Sequence, residues 1–192
     1  MIATASEYLT VTEEQNALDY LEKAVAFIRS AKARSIEWKW VILATHAALY
    51  GFMICALKGT NPDNVCTNKS GKSKLIDFPT AFAWCQDDDD SRKCISGFTQ
   101  PLKVTEVERQ AVERVHSEFR NEFEHYQPKL WSIELAGLPE IIGHVLDVVR
   151  MVSLEMGCYF VHYRPGDSDR IAALIRQGKD VLQSYVTFGS DD

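Results

Sequence analysis

The chain has 192 residues, of which 46% are hydrophobic and 25% are charged. This composition is typical of a folded globular protein and excludes an intrinsically disordered chain. The length is that of one domain, so we interpret residues 1–192 as a single domain. The formal net charge of −6 at pH 7 argues against a protein that coats nucleic acid regardless of sequence, although a small basic pocket remains compatible with it.

The first residues and the cysteines bear on the cellular compartment. Residues 1–11 have neither a basic start nor an apolar run, so we predict no signal peptide. The apolar segment 40–57 is interrupted by Thr45, His46 and Gly51, which favours a buried core helix over a membrane span. The five cysteines are widely spaced, which argues against a disulfide framework. We therefore predict a cytoplasmic protein with reduced thiols and no membrane association.

Two long helices are predicted at the start of the chain. The first, at residues 12–33, begins with a capping box formed by Thr12 and Gln15. The second, at residues 35–57, is followed by Gly59, which favours helix termination. Apolar residues cover most of the circumference of this second helix, so we expect it to lie at the centre of the fold.

The rest of the chain is predicted to be helical as well. In chain order, the predicted elements are a loop at 59–77, a short helix at 78–86, a long helix from 105 to just before 128, a helix at 139–163 and a last amphipathic helix at 170–185. Thr105 and Glu108 form the capping box of the long helix, and Pro128 ends it. We find no convincing strand alternation. Five main helices with mostly short connections predict an all-α antiparallel bundle.

Several patterns that resemble phosphate or metal sites fail on their spacing. A phosphate-binding loop ending at Ser73 would need glycine where the chain has Cys66. The aspartates at 87–90 lack the turn glycine of a calcium loop, and we interpret them as a solvated run. No two cysteines have zinc-finger spacing. Glu122 and His125 have di-iron spacing, but the second such pair is missing. We predict neither a metal nor a cofactor.

The end of the long helix carries the most informative group, Arg120 and Asn121 followed by His125. Asn121 and His125 are four residues apart, so we expect them on one helix face, with Arg120 on the adjacent side. The helix dipole favours an imidazolium near the C-terminal end. A guanidinium can hold a phosphate and stabilise its developing charge, and an imidazole can move a proton. The alternative without a function is a solvated helix end with a surface histidine.

This Arg-Asn-x3-His pattern resembles the HEPN superfamily, whose motif is an arginine, four to six residues and a histidine, commonly with asparagine directly after the arginine. The all-helical architecture is similar as well, as are, less specifically, residues 38–46 and 128–133. The resemblance implies a metal-independent endoribonuclease that activates the ribose 2′-hydroxyl for attack on the adjacent phosphate and leaves a 2′,3′-cyclic end. In this family two motifs meet in a shared cleft, so the single motif here implies a homodimer.

The resemblance also assigns roles and partners. His125 would be the acid and base, Arg120 the phosphate clamp, and Asn121 would orient the histidine or the substrate. The implied substrate is RNA, the implied setting is bacterial defence or a toxin–antitoxin system, and an antitoxin or other regulatory protein is a possible partner. Arg109 and His116 fit the loose motif too, but they lie mid-helix without the asparagine, so we set that pair aside.

Other interpretations stay open. A non-catalytic HEPN-like bundle that binds a nucleotide, RNA or a protein partner is the main alternative, and the acidic charge favours it. A structural subunit, whose cluster stabilises a dimer seam, is another. Some family members have a modifiable tyrosine two residues after the histidine; Gln127 stands there, beside Tyr126, so we do not predict that regulation. We interpret His46 as a hydrogen-bonded core residue rather than a cleft residue, and Trp131 as a packing residue.

Overall fold

The computed structural model describes residues 8–69, 72–89, 99–124, 128, 130–158 and 160–186. Its helices are α1 (Glu13–Ser30), α2 (Glu37–Lys58), α3 (Phe78–Cys85), α4, α5 (Leu138–Arg150) and α6 (Asp167–Val186). The helix α4 begins as Glu106–Glu113, continues as the π-helix Arg114–Arg120 and ends as Asn121–Glu124, and α5 runs on into the π-helical turn Met151–Glu155. The part of the chain that the structure describes is mostly helical, with one two-stranded hairpin, so the predicted all-α class is confirmed.

The helices α1 and α2 form an antiparallel pair. The ammonium of Lys58, at the end of α2, lies 3.5 Å from carboxylate oxygens of both Glu13 and Glu14, at the start of α1. Further along, Gly51 of α2 faces Ala17 of α1 so closely that a Cβ added to the glycine would lie 2.8 Å from the alanine Cβ. The two backbones therefore approach each other without intervening side chains at this point.

The helix α6 packs alongside α1 and runs in the same direction. Arg170 near the start of α6 forms an ion pair with Glu22 of α1. Further along both helices, the Tyr185 hydroxyl donates to the backbone carbonyl of Ile28 at 2.8 Å. On another side α6 also packs against α5, so that it closes the bundle over the core between these helices.

The apolar helix α2 lies at the centre, as the sequence predicts, and contacts α1, α3, α4 and α5. By length and composition, α2 is the one helix in the described ranges that is apolar enough to cross a membrane, with a mean hydropathy of 1.8, but 72% of that stretch is buried inside the bundle. Two contacts show that α2 runs antiparallel to α4. Lys39 lies over the ring of Phe123, and His46, further along α2, contacts His116, which comes earlier in α4. The position of α2 is thus that of a core helix.

The prediction that 59–77 is a loop without strands is wrong in part. A single turn of 3-10 helix, Pro62–Val65, leads into an antiparallel hairpin of β1 (Cys66–Lys69) and β2 (Lys72–Leu75). All four residues of β2 are exposed, so this strand has no apolar face that an alternating pattern would reveal. The hairpin leads directly into the start of α3.

Several helix ends differ from the prediction. The helical backbone that includes α5 ends at Glu155 rather than near residue 163. Gly157 follows with φ of +68°, and a Cβ there would lie 2.0 Å from the Thr99 hydroxyl oxygen, so the glycine turns the chain under residue 99. The last helix begins at Asp167 rather than at residue 170, because Asp167 accepts from the backbone amide of Arg164 at 2.7 Å.

Candidate functional site

Two of the three predicted site residues are described, and they lie together. Arg120 ends the π-helical part of α4 and Asn121 follows it. The Arg120 Nη1 donates to the Asn121 Oδ1 at 3.1 Å, and Arg120 also forms an ion pair with Glu124. Asn121 in turn donates to the backbone carbonyl of Ser117 at 3.2 Å. His125 lies outside the described residues, so its position relative to Arg120 stays a prediction.

The Arg120 guanidinium sits at the boundary between core and solvent. Its side chain is 29% exposed, while its Nε is buried and has no hydrogen-bond partner in the part of the chain that the structure describes. A buried donor without a partner destabilises a fold by about 1–3 kcal/mol, and more when the group is charged. The other two guanidinium nitrogens are engaged by Asn121 and Glu124, so the group is held in a defined orientation at this boundary.

A pair of histidines that the sequence analysis did not bring together lies beside Arg120. The His46 Nε2 on α2 and the His116 Nδ1 on α4 are 3.0 Å apart, and one of the two nitrogens carries the shared proton. Both rings stack on Phe78, with centroid distances of 4.4 and 4.5 Å. The imidazole planes are only 13° apart, so the two hydrogen-bonded rings are nearly coplanar and lie on the same face of the Phe78 ring.

The surroundings keep both imidazoles neutral. Burial, followed by the charges of His116 and Arg120, lowers the pKa of His46 from 6.5 to about 3. Burial and the Arg120 charge also lower the pKa of His116, and the Asp77 carboxylate opposes them. His46 is 8% exposed and His116 is half-buried. The pair is therefore a neutral imidazole dyad at neutral pH, whose outer member reaches solvent.

The hairpin and α3 hold the aromatic platform in place. Asp77 caps α3 by accepting from the Thr80 amide at 3.0 Å, which fixes Phe78 as the first residue of the helix. The Tyr50 hydroxyl donates to the backbone carbonyl of Ile76, just before this cap. Hydrogen bonds to Thr80 and, less strongly, the nearby Lys74 and His116 lower the pKa of Asp77. The carboxylate thus stays charged beside the dyad.

The cluster joins residues of two helices, and local spacing alone does not pair them. His116 and Arg120 both belong to the π-helix Arg114–Arg120 and are four residues apart, so they share one side of α4, whereas His46 lies on α2. The loose motif pairs His116 with Arg109, but Arg109 forms ion pairs with Glu106 and Glu113 on the exposed side of α4. The one available signal was a histidine one turn before the motif arginine. Such π-helical segments are frequent at functional sites.

A groove runs beside α4 on a face that does not include Arg120. It has a volume of about 580 Å³ and is lined by Arg114, Ser117, Glu118, Phe119, Glu122, Trp131, Ser132, Ile133, Glu134, Gly137 and Ile141. Trp131 packs edge-on against Phe123 with the ring centroids 4.9 Å apart, in agreement with its interpretation as a packing residue. Three glutamates line the groove, so it does not attract a phosphate.

One further group of ionisable residues has metal-like spacing in the described ranges. Glu13, Glu14 and His162 bring their ligand atoms within 4.8 Å of one another. Lys58 already lies 3.5 Å from both carboxylates and is 7% exposed. A buried ammonium therefore supplies the positive charge in this place, and we interpret the group as a structural ion-pair cluster.

The dyad, Arg120 and Asn121 offer the groups that anion binding and proton transfer would require. Arg120 offers positive charge and donors, and His116 has its Nε2 outside the contact with His46. No metal is required for either role. Comparisons of the chain with models of protein families, with curated proteins and with solved structures found no match in any of the three.

Proposed function

We propose that this protein is a metal-independent endoribonuclease of HEPN type, which cuts cytoplasmic RNA at a composite site in a homodimer. The observation that carries the proposal is the half-buried Arg120 guanidinium, which lies beside Asn121 and two neutral imidazoles. These groups supply phosphate binding and proton transfer, the two requirements of the reaction. A defence or toxin–antitoxin role, with a regulatory partner protein, follows from the HEPN resemblance.

The proposed reaction uses an oxygen of the substrate as the nucleophile. A base takes the proton of the ribose 2′-hydroxyl, the 2′-oxygen forms a bond to phosphorus, and the bond from phosphorus to the 5′-oxygen breaks. An acid returns a proton to the leaving 5′-oxygen, and the product is a 2′,3′-cyclic phosphate. His125 is the acid and base of the motif. Arg120 stabilises the charge on the non-bridging phosphate oxygens.

Negative charge around Arg120 opposes the binding of a phosphate. The Glu124 carboxylate, whose side chain is 44% exposed, occupies one side of the guanidinium, and the whole chain has a net charge of −6. A bound phosphate displaces Glu124 from this ion pair. In a two-fold dimer, two copies of Arg120 contribute two positive charges to one phosphate, which offsets the repulsion by the acidic envelope.

A non-catalytic bundle that binds a nucleotide, RNA or a protein partner is the second candidate. The acidic charge and the Glu124 ion pair favour it, because both weaken the hold on a long RNA backbone. In that case Arg120 recognises one phosphate group and no bond is broken. The two candidates differ in whether bound RNA is recovered intact.

The deciding experiment measures cleavage of a labelled RNA in the presence of EDTA. We expect wild type to cut it and to leave 2′,3′-cyclic ends, while Arg120→Gln and His125→Gln lose at least about 100-fold in rate, the usual size of a lost electrostatic contact. Arg114→Gln is the matched control, because Arg114 belongs to the same π-helix but forms an exposed ion pair with Glu118.

The outcomes separate the candidates. Thermal unfolding of each variant shows whether a loss of rate reflects the site or the fold. Cleavage that stops with EDTA, or that survives in Arg120→Gln, contradicts the proposal. RNA that binds wild type and is recovered uncut identifies the non-catalytic alternative.

A further inference from the structure

We propose that binding of a phosphodiester at Arg120 is coupled to protonation of the His46–His116 dyad, so that His116 becomes a second donor to the bound phosphate. The inference rests on the proposed role of Arg120 as a phosphate clamp, but it does not depend on cleavage. It adds to the site two residues that lie outside the Arg-Asn-x3-His motif.

The geometry gives the two histidines different tasks. The His116 Nδ1 is engaged by His46, so its remaining ring nitrogen is Nε2. His116 is half-buried, whereas His46 is 8% exposed. Protons and ligands therefore reach the dyad through His116. His46 is a positioning residue on the buried side of His116, because His46 and Phe78 together fix the orientation of the His116 ring.

Within the described residues, the charges that face the dyad come from two elements. Arg120 on α4 lowers the proton affinity of both rings, and Asp77, at the cap of α3, raises that of His116. A diester anion at Arg120 neutralises the guanidinium and adds a negative charge next to His116. Both changes favour the imidazolium. The pair takes up one proton rather than two, since two charged rings 3.0 Å apart repel each other.

The result is a site that holds its anion more tightly as the pH falls. Empty, the dyad is neutral and the only cation beside it is Arg120, counting the groups that the structure describes. Occupied, the protonated His116 carries an N–H at Nε2 and adds a charge-assisted hydrogen bond. The ligand class, taken from the proposed function, is a phosphodiester, whose two non-bridging oxygens can accept hydrogen bonds from the Arg120 guanidinium and from the His116 Nε2.

The test uses the full chain, and the probe is the dinucleotide thymidylyl-(3′→5′)-thymidine. This probe has one phosphodiester and lacks the 2′-hydroxyl, so it binds without being cut. Neither its bases nor its phosphate titrates where imidazoles do. Calorimetry in buffers with different enthalpies of ionisation gives both the affinity and the number of protons taken up. NMR signals of the ¹⁵N-labelled histidines identify the ring that is protonated.

We expect wild type to take up close to one proton on binding and to gain up to about tenfold in affinity for each unit of pH between about pH 8 and about pH 6. In His116→Gln, binding persists through Arg120, but the proton uptake that NMR assigns to the dyad, and the pH dependence that this uptake causes, are lost. In Arg120→Gln, binding is lost. His144→Gln is the matched control, because His144 lies on α5 beside Glu140, with 31% of its side chain exposed, and it should behave as wild type.

Each outcome has a definite consequence. The inference is overturned if the probe does not bind wild type, if it binds wild type without protonating the dyad, or if the proton uptake is unchanged in His116→Gln. If the probe binds with proton uptake while RNA is left uncut, the nuclease function fails and the coupling stands. If RNA is cut but the probe binds with no dependence on pH, the coupling fails and the nuclease function stands.

Discussion

His46 and His116 are separated by 70 positions in the chain, yet their ring nitrogens lie 3.0 Å apart between α2 and α4. A ring on each of two antiparallel helices, both stacked on Phe78, ties together three elements of the bundle. The contact requires that at least one imidazole be neutral, because two imidazolium rings have no acceptor to offer each other. The stability of the helix packing is therefore linked to pH.

The first prediction is that acidification destabilises the fold through His46. The pKa of His46 is lowered to about 3 in the folded chain and returns to its ordinary value of about 6.5 on unfolding. Below that ordinary value the unfolded chain binds more protons than the folded one, so the stability present at neutral pH declines as the pH falls. Between about pH 7 and about pH 5 the loss is about 2 kcal/mol.

Urea denaturation at the two pH values measures this loss. In His46→Gln the drop in free energy of unfolding should shrink by most of that amount, whatever the absolute stability of the variant. In His144→Gln, whose partly exposed ring lies beside Glu140, the drop should equal that of wild type. An unchanged pH dependence in His46→Gln contradicts the assigned neutrality of the dyad.

The second prediction concerns the composite site. If two copies of Arg120 act on one phosphate, a mixed dimer with one Arg120→Gln subunit keeps only one guanidinium. An excess of the variant chain added to wild type should therefore suppress RNA cleavage far below the level given by dilution, once subunits have exchanged. Arg114→Gln, in the same excess, should leave the rate unchanged. Suppression by neither chain, with exchange verified by mass, contradicts a shared site.

The third prediction is that the buried ammonium of Lys58 stabilises the α1–α2 pair. Lys58 is 7% exposed and Glu14 is 2% exposed, and one Glu14 carboxylate oxygen is buried with no hydrogen-bond partner among the described residues. Lys58→Met leaves this carboxylate buried without its cation, and we expect a loss of about 3–5 kcal/mol in the free energy of unfolding. The exposed pair of Lys23 with Asp19 should contribute well under about 1 kcal/mol.

Chemical denaturation of Lys58→Met and Lys23→Met compares the two sites directly. Adding Glu14→Gln to Lys58→Met removes the unpaired charge and should restore part of the lost stability. Equal losses in the two methionine variants would mean that Lys58 contributes no more than a surface ion pair does.

Local chemistry made much of the fold predictable from the sequence. The capping box at the start of α4 is formed as predicted, since the Thr105 amide donates to the Glu108 carboxylate at 2.7 Å and the Glu108 amide donates to the Thr105 hydroxyl oxygen. Gly59 ends α2 with φ of +54°. Such signals act within one turn of the chain, so they can be read from neighbouring residues.

The candidate site was only partly predictable, because its contacts are not local. His46 is confirmed as a hydrogen-bonded core histidine, but no spacing rule names its partner. The association of the dyad with Arg120 depends on how α2 packs on α4, and such packing emerges only in the folded chain.

The fourth prediction tests the packing that positions α2. A methyl group on Gly51 would lie 2.8 Å from the Cβ and 3.3 Å from the Cα of Ala17, which is fully buried. The obstacle is partly backbone, so the helices must separate, and overpacking of this kind destabilises a core by about 1–3 kcal/mol. The better helix propensity of alanine offsets at most about 1 kcal/mol of this, so Gly51→Ala should be less stable than wild type.

Gly143→Ala is the matched control, because Gly143 also lies inside a helix but its added methyl group meets no heavy atom within 4 Å in the described part of the chain. Here the propensity gain is unopposed, and the variant should be more stable by about 0.5–1 kcal/mol. Urea denaturation should thus place the two variants on opposite sides of wild type. If Gly51→Ala is stabilised as well, α1 and α2 do not approach each other at Ala17, and the position of α2 that brings His46 to His116 loses its support.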